Sequence, residues 1–525
     1  MTAIATIAVV VVPIGPADAG TGASGVSYEI KTVCSTGSMT VRANAFNLTG
    51  STPVTFEVTS AAGTTSHIVR PQSITTLTVP GREAKISGVT VSEGGVLVAE
   101  QPYSVSCQLP TGPYDGISRF ASLSPRRVFD TRPDSRLNHT GGKPTAFDSI
   151  VVPLAGHYGI PADATAVVLN ITATESEGAG YVQAYPTGHG QPGDSSNVNL
   201  ERAGQTIPNA AIVKLGDGGA ITLFTTAATH LVVDVSGSFV PPYSFMGMYL
   251  ASEGRFIGVA PTRMLDTRPV SQIQYSGGKP TAGQIVEFSI APAVPVPGIT
   301  IPPTMPQRAV IGSVVLNVTA TEATGPGYIQ VAAGGALVPG ASSNLNVERA
   351  GQTIPNLVVV PVSADRTVSI FTNAGTHLIV DVLGFFTNDQ SPSSQSGLFV
   401  PLTPERILDT RNGVRIDGGA YIGGPGATTV FVDRLPNAVG SVVLSVVATD
   451  TAGPGFVQVG PNLVPEGMAL GAHSNLNVER AGQTIPNLVI SQSNQLNVDG
   501  VTFFSSGGAQ LIADIFGWFT YSNAG

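Results

Sequence analysis

One long sequence pattern occurs three times in this chain. The copies begin FASLSPRRVFDTRP at Phe120, FIGVAPTRMLDTRP at Phe256 and FVPLTPERILDTRN at Phe399. This spacing is far beyond the roughly 20–50 residues of solenoid repeats and is typical of a whole domain. An active site is rarely needed in triplicate, whereas multivalent binding or a self-packing assembly needs such repetition. The pattern therefore favours a binding or structural protein over an enzyme.

The composition indicates an all-β protein. Charged residues make up only 11% of the chain, and Gly (62) and Pro (40) are abundant. Many Val, Thr and Ile residues between turn formers are typical of short strands. No apolar period of 3.6 residues persists long enough to predict a helix. The net charge of −9, with no Lys/Arg cluster, argues against a nucleic-acid partner.

The first 19 residues have the pattern of a signal peptide. An apolar stretch from Ala3 to Ile14 is followed by Ala17-Asp18-Ala19, a small-x-small cleavage site. The alternative is a buried first strand. No later segment reaches the roughly 18 apolar residues of a membrane helix, so we predict no membrane insertion. Because an exported chain with two cysteines favours one disulfide, we expect Cys34 and Cys107 to be linked.

We predict five segments along the chain. A signal peptide at 1–19 precedes an Ig-like β-sandwich at 20–110, in which alternating strands lie between the two cysteines. Three homologous β repeats follow at 111–242, 243–390 and 391–525. About eight strands per copy fit one β-sandwich or jelly roll each, with a pseudo-threefold arrangement of the three as an option. A propeller built from all three copies is less favoured, since its blades would be shorter.

These motifs resemble those of secreted actinobacterial proteins with "RxLDTR" repeats. The resemblance covers residues 120–525 and rests on the VFDTRP, MLDTRP and ILDTRN strings together with the ERAGQTIPN segment. It implies export and a surface or extracellular role. It implies no particular activity, because that family mostly lacks an assigned biochemistry.

Charged residues are scarce, yet the same ones recur in each copy. Their numbers match, so carboxylates and guanidinium groups could pair bidentately in a semi-buried network. The alternative is a carboxylate-lined ligand groove. The recurring residues are Arg127, Asp130, Arg132, Glu201, Arg202 and Asp234 in the first copy, Arg263, Asp266, Arg268, Glu348, Arg349 and Asp381 in the second, and Arg406, Asp409, Arg411, Glu479, Arg480 and Asp514 in the third.

Catalytic and metal sites are disfavoured by comparing the copies. A polysaccharide or cell-wall hydrolase needs an acid and a base, but the carboxylates adjoin arginines that would keep them ionised. A Ser-His-Asp site using His230 and Asp234 fails because the third copy has Gln510 in place of the histidine. The same change argues against a metal site, although calcium at Asn497-Val498-Asp499-Gly500 stays open. We predict no cofactor and no catalytic residues.

The strongest identity between copies is ERAGQTIPN with the polar strand before it. In the second copy Leu345 and Val347 should face the core, while Asn344, Asn346 and Glu348 share the other face. Either this face packs against a neighbouring copy or it binds a polar ligand such as a glycan. We favour self-packing, because the loops differ between copies while this face is constant.

Two further positions are predicted to have structural roles. The N-x-T sequons at Asn170 and Asn317 lie inside strands and become Ser445 in the third copy, which favours side-chain hydrogen bonding over glycosylation. Rings at Tyr181, Tyr328 and Phe456 could cover a core edge or stack on sugars.

The sequence thus predicts a secreted, non-enzymatic surface or extracellular protein with a structural or adhesive role. A carbohydrate-binding adhesin for cell-wall or extracellular glycans is the main alternative, and a hydrolase is a distant one.

Overall fold

The computed structural model describes most of the three copies and the strands of the N-terminal segment. The described residues are 4–11, 26–35, 38–47, 53–60, 63–69, 73–82, 86–93, 96–101, 116–245, 248–290, 310–411, 414–415, 426–431, 439–461, 471, 473–493 and 500–521. Loop 497–499, where calcium was considered, lies outside them.

The fold is all-β, as predicted. In the described residues the helical structure consists of two 3₁₀ turns, Pro133–Ser135 and Asp217–Gly219, and no helix is long and apolar enough to cross a membrane. The chain divides into two compact units, one of residues 1–111 with 244–248 and one of residues 112–243 with 249–525. The three copies therefore lie within a single unit.

The first unit contains two antiparallel sheets, with strand orders β1-β2-β3-β6 and β5-β4-β7-β8. Residues 4–11, inside the predicted signal peptide, form a strand paired with β2. Cys34 lies in β2, but Cys107 is outside the described residues, so the disulfide stays a prediction. The strands are β1 Ile4–Val11, β2 Val26–Ser35, β3 Ser38–Asn47, β4 Val54–Ser60, β5 Gly63–Val69, β6 Ser73–Arg82, β7 Ile86–Glu93 and β8 Val96–Gln101.

The first copy forms two four-stranded antiparallel sheets, with orders β14-β11-β16-β9 and β10-β15-β12-β13. A short two-stranded sheet, β17-β18, follows it. The strands are β9 Arg119–Asp130, β10 Ser149–Pro153, β11 Ala166–Thr174, β12 Gly180–Pro186, β13 Val198–Leu200, β14 Ile207–Lys214, β15 Ala220–Thr225, β16 His230–Val240, β17 Tyr243–Phe245 and β18 Met248–Leu250.

The second copy repeats this topology, with orders β19-β26-β21-β24 and β20-β25-β22-β23. Its strands are β19 Phe256–Asp266, β20 Gln284–Ser289, β21 Ile311–Thr321, β22 Gly327–Ala333, β23 Leu345–Val347, β24 Ile354–Pro361, β25 Thr367–Thr372 and β26 His377–Thr387.

The third copy has the same order with one added edge strand, giving β28-β27-β35-β30-β33 and β29-β34-β31-β32. Its strands are β27 Phe399–Asp409, β28 Val414–Arg415, β29 Gly426–Phe431, β30 Val439–Thr449, β31 Gly455–Pro461, β32 Leu476–Val478, β33 Ile485–Gln492, β34 Gly500–Ser505 and β35 Gln510–Thr520.

These six small sheets stand in a ring, a six-bladed, propeller-like arrangement. Sequence analysis disfavoured a propeller because its blades would be too short. That expectation was wrong, because each copy supplies two sheets of at least four strands, and each sheet forms one blade. Four-stranded blades are the usual unit of a propeller.

The two sheets of a copy pack on a shared apolar core. In the third copy, for example, Leu444 of one sheet and Phe503 of the other are both fully buried in one cluster. The predicted alternation of β23 is confirmed, since Leu345 and Val347 are buried in the core. Because each buried aliphatic side chain contributes about 1.5–3 kcal/mol, this core accounts for most of the stabilisation of each copy.

Glycine is required where one copy enters the next. Gly254 has φ +72°, its N–H donates to Thr387 O (2.8 Å), and its carbonyl accepts from Phe120 N (2.8 Å). A Cβ at this position would lie 2.1 Å from the backbone oxygen of Phe120. Gly397 occupies the same position before the third copy, with φ +82° and a Cβ position 2.3 Å from Phe256 O.

We predict that Gly254→Ala destabilises the ring more than Gly351→Ala does. Both residues have a left-handed φ, so each alanine incurs about 1–2 kcal/mol of backbone strain. Only at Gly254 does the added methyl group also displace a neighbouring backbone, for about 1–3 kcal/mol more, since Gly351 has open space around it. Urea unfolding of the full chain measures both, and equal losses would contradict the close packing at Gly254.

Candidate functional site: the contacts between the copies

The most extensively bonded region of the repeated pattern is the set of junctions between copies. We call these the 1–2, 2–3 and 3–1 junctions, after the copies that meet there. They comprise an apolar centre, a set of asparagines, and Glu–Arg pairs, to which side chains from all three copies contribute.

Six phenylalanines form the apolar centre. Phe120, which opens the first copy, stacks on Phe386 near the end of the second, with ring centroids 4.2 Å apart. All six are at most 5% exposed and belong to one cluster that contains residues of every copy. Such aromatic pairs contribute about 0.5–1.5 kcal/mol beyond area burial. The other pairs are Phe256–Phe519 (4.5 Å) and Phe239–Phe399 (4.3 Å).

The asparagine of each IPN segment bonds the backbone of a neighbouring copy. Asn356 Oδ1 accepts the N–H of Ala210 (3.0 Å), and its Nδ2 donates to Asn344 O (2.6 Å) and Asn170 Oδ1 (2.9 Å). The side chain is almost fully buried. The same acceptor bond recurs from Leu357 N to Asn487 Oδ1 (3.2 Å) and from Leu488 N to Asn209 Oδ1 (3.3 Å).

These bonds satisfy the free edges of three strands. Strands β14, β24 and β33 are each the last strand of their sheet, so the N–H groups on the outer side have no ladder partner. An unpaired edge promotes aggregation, and natural proteins cover it. Here the cover is an amide side chain from the next copy, which replaces a neighbouring strand. Pro355, the second residue of β24, also lies on this edge, where a residue without an N–H is tolerated.

The glutamate of the repeated motif joins each copy to the one before it. Glu348 accepts the backbone N–H of Thr206 (2.6 Å) and pairs with Arg202 (2.9 Å). Gln352 Oε1 in turn accepts the N–H of Glu348 (2.6 Å) and holds its turn. The arginines are about half exposed, so each ion pair itself contributes about 0–1 kcal/mol. The equivalents are Glu479 with Thr353 and Arg349, and Glu201 with Thr484 and Arg480.

The sequon positions bond across the same junctions. Asn170 Nδ2 donates to Ser343 O (2.7 Å) and Asn317 Nδ2 to Ser474 O (2.9 Å). In the third copy the hydroxyl of Ser445 donates to Ser196 O (2.8 Å) in the same way. The prediction that these side chains make hydrogen bonds is confirmed, and their burial leaves no room for a glycan.

The 3–1 junction closes the ring without a covalent connection. It carries the Glu201–Arg480 pair, the Asn209–Leu488 bond and the Ser445–Ser196 bond, like the other two junctions. In addition, Ser118 and Phe399 exchange two backbone hydrogen bonds of 2.7 Å each. The residue before β9 thus forms an isolated bridge with the third copy, and each copy contacts both of the others.

The recurring DTR charges form a compact network inside each copy. Asp266, whose side chain is fully buried, accepts from Arg268 Nε (3.0 Å) and Nη2 (2.7 Å), from Arg263 Nη1 (3.2 Å) and from Ser271 Oγ (2.8 Å). Arg263 also forms a bidentate pair with Asp381, at 2.7 and 3.2 Å. The same pairs join Arg127, Asp130, Arg132 and Asp234 in the first copy, and Arg406, Asp409, Arg411 and Asp514 in the third.

Hydrogen bonds outweigh burial at Asp130, Asp266 and Asp409, whereas burial prevails at Asp514. Burial alone would raise the pKa of Asp266, but the bonds from Arg268 and Ser271 outweigh it and lower the pKa to about 2. The pKa values of Asp130 and Asp409 are also lowered, because the bonds from Arg132 and Arg411, respectively, outweigh the effect of burial. Asp514 differs, because deeper burial raises its pKa despite the bond from Arg406. These carboxylates lack the free, exposed position that an acid–base catalyst needs.

The histidines that precede the last strand are structural. His230 Nδ1 lies 3.0 Å from the hydroxyl of Thr131, which also accepts the N–H of Leu231 (3.0 Å). His377 and Thr267 repeat this contact at 3.1 Å. In the third copy Thr410 donates to Gln510 Oε1, so glutamine replaces histidine in the same role. Thr131 is fully buried and cannot meet a substrate.

The half-buried aromatic positions each pack on a second ring. Tyr181, Tyr328 and Phe456 lie 6.2, 5.7 and 5.9 Å from Phe224, Phe371 and Phe504, respectively. Among the described residues no group of three or more His, Cys, Asp or Glu side chains could hold a metal ion.

The predicted site residues therefore fall into two sets. The DTR arginines and aspartates meet within one copy, whereas the Glu and Arg of ERAGQTIPN meet only between copies. Sequence reasoning missed the six phenylalanines and the asparagine of the IPN segment. Both recur at the same place in every copy, and this recurrence is the signal that could have indicated them.

No family model and no curated protein matches this chain. Among solved structures, it is similar to a protein in the structure of the Sulfolobus turreted icosahedral virus, at 10% identity and a TM-score of 0.13, covering 77% of this chain and 90% of that one. A protein from an archaeal virus described by a triple jelly-roll fold and turret assembly is 8% identical, with a TM-score of 0.15 and coverage of 77% and 92%. At such TM-scores the folds do not superpose, so neither similarity bears on function.

We predict that Asn356→Ala lowers the free energy of unfolding by about 2–6 kcal/mol. The change leaves the buried Ala210 N–H and Asn344 C=O without partners, and each unsatisfied group costs about 1–3 kcal/mol. The matched control is Asn346→Ala in the same motif, because Asn346 Oδ1 is buried without a partner. Urea unfolding of both variants is the measurement, and similar losses would refute the role of Asn356.

We predict that the Asp266 network loses its stabilising effect in acid. Because the pKa of Asp266 is lowered from 3.8 to about 2, its contribution is complete above pH 3.8 and disappears as the pH falls through about 2. The lost free energy is about 2 kcal/mol. Asp266→Asn should therefore be less stable than wild type at pH 5 and approach it near pH 2. Asp365→Asn, at an exposed position, is the control, and a gap that stays constant with pH would contradict the prediction.

Proposed function

We propose that this chain is an exported, non-enzymatic structural or adhesion protein whose three homologous β domains act as one pseudo-threefold body. The observation that carries the proposal is the use of the most constant polar residues. Glu348, Asn356 and their equivalents bond the neighbouring copies rather than line an open cleft. Because these side chains already bond a neighbouring copy, their face serves to hold the three copies together.

The chemistry of the DTR network supports a role without catalysis. Each of its aspartates is held by two arginine contacts or one bidentate pair, at distances of 2.7–3.3 Å. A glycoside hydrolase needs one carboxylic acid that stays protonated and a second carboxylate at a set separation. Guanidinium partners oppose the protonated form.

Export is supported by the sequence features already described. The apolar segment ending at Ala17-Asp18-Ala19, the two cysteines and the resemblance to "RxLDTR" surface proteins all favour an extracellular location. A structural protein of the cell surface is the role that agrees with both the junctions and this location.

Mass spectrometry of the culture medium and cell envelope tests the location. We expect a mature chain beginning near Gly20 with Cys34 and Cys107 linked. Recovery only from the cytoplasm, with Met1 present and two free thiols, would overturn export.

A double-mutant cycle at the 2–3 junction separates assembly from glycan binding. Arg349→Ala and Glu479→Ala should each lower stability, with a coupling energy of about 0.5–1 kcal/mol, and neither should change binding to a glycan array or to isolated cell walls. Loss of a glycan signal in Arg349→Ala at unchanged stability would instead favour the carbohydrate-binding adhesin.

A further inference from the structure

One junction contains a histidine where the other two contain serine. His473 directly precedes the SNLNVERAGQTIPN strand of the third copy, and the equivalent residues are Ser195 and Ser342. Its side chain is only 6% exposed. Because copies 1 and 2 show which residue the fold accepts at this position, the histidine is not needed for packing.

His473 lies at a small cavity between the second and third copies. The cavity measures about 20 Å³ and is lined by Phe256, Leu383, Val459 and Ile490, among others. This is the volume of about one water molecule. A cavity of the same size lies at the 1–2 junction, and there the equivalent lining residue is Ser342. At this position the lining is therefore titratable at the 2–3 junction and neutral at the 1–2 junction.

The imidazole is only half satisfied. Nε2 lies 3.4 Å from the carbonyl of Val459, which places the hydrogen of the neutral ring on Nε2. Nδ1 is buried and has no hydrogen-bond partner. A proton added at Nδ1 would place a charge and an unsatisfied donor in an interface whose lining is mainly apolar, which costs free energy.

The charged groups around His473 do not offset this cost. Of the described lining residues it is the only titratable one. On the packed strands β19 and β26 the ionisable groups are Arg263, Asp266, His377 and Asp381, whereas β31 and β33 have none. Burial lowers the pKa of His473, and it outweighs the bond to the Val459 carbonyl, the charge of Asp381 and the interaction with Asn475, which all act in the opposite direction. Asp381 forms its bidentate pair with Arg263 rather than with His473.

His473 is directly connected to the bonds that hold the junction. The next residue, Ser474, accepts Asn317 Nδ2 (2.9 Å) from the second copy. Asn475 Oδ1 accepts the N–H of Val459 (2.7 Å), and its carbonyl accepts Asn487 Nδ2 (2.6 Å). A shift of the His473 ring towards solvent would therefore displace the acceptors on which this junction depends.

We propose that His473 makes the 2–3 junction a pH-sensitive switch, in which protonation at Nδ1 opens this junction while the 1–2 and 3–1 junctions stay closed. The neutral ring fits the closed junction and the protonated ring requires water, so the open form binds one more proton. Stability of the junction is complete above the ordinary histidine pKa of 6.5 and falls as the pH drops below it. The switch does not depend on the proposed export, since it follows from the junction itself.

Hydrogen exchange of the full chain between pH 7.5 and 5, corrected for the intrinsic rate at each pH, tests the switch. Protection of the Thr353 and Leu357 amides, which bond Glu479 and Asn487 across the 2–3 junction, should fall by up to about tenfold per pH unit. The Thr206 and Ala210 amides at the 1–2 junction are the internal control and should change much less.

Two variants isolate His473 from the other buried histidines. His473→Ser introduces the residue of the other two copies and should remove the selective loss of amide protection at the 2–3 junction. If serine lowers the overall stability, His473→Gln provides a larger neutral side chain and should have the same effect. His377→Gln, the residue that the third copy uses at that position, should leave the loss at the 2–3 junction intact. An equal loss at all three junctions, or an unchanged pH dependence in both His473 variants, would overturn the proposal.

Discussion

The structure depends on how the outer edges of β14, β24 and β33 are satisfied. A strand edge facing another copy could be extended by a further strand, which would produce an open assembly. In this chain an asparagine side chain accepts the edge N–H instead, and its own amide donates back to the carbonyl of the strand before it. The same bond recurs at all three junctions, so each of the three strand edges is covered by another copy. The six phenylalanines then fill the centre that this closure creates.

The junctions combine strong and weak interactions in distinct places. Burial of the phenylalanines supplies most of the free energy, and the buried asparagine and glutamate bonds set which residues meet. The half-exposed Arg202–Glu348 pair and its equivalents add little stability. The recurrence of these pairs in every copy is better explained by alignment of the copies. Glu348 accepts the N–H of Thr206, and Arg202 holds the Glu348 carboxylate in the position that this bond requires. This division also explains why a single change inside a junction, such as serine to histidine at position 473, alters its behaviour without altering the fold.

Differences between the copies are as informative as their identities. Ser445 replaces Asn170 and Asn317, yet it donates to the same carbonyl position in the neighbouring copy. Gln510 replaces the two histidines and still bonds the threonine hydroxyl. Both differences preserve a hydrogen bond, and the second also removes a titratable group. At position 473 the reverse occurs, because a titratable group appears where a neutral one is sufficient.

The sequence by itself determined the strand content, the alternation of Leu345 and Val347, the bonding role of the sequon positions and the self-packing preference for the ERAGQTIPN segment. Each follows from local periodicity or from comparing equivalent residues, which a linear sequence contains. Asp266 and Glu348 both have an arginine nearby in the sequence, so the sequence does not distinguish them. Only the tertiary structure decided that Asp266 pairs with an arginine of its own copy, whereas Glu348 pairs with Arg202 of the first copy. The ring of six sheets and the identity of its central residues depend on the relative orientation of whole copies. That orientation arises from packing between residues over a hundred positions apart, such as Phe120 and Phe386, and no local pattern encodes it.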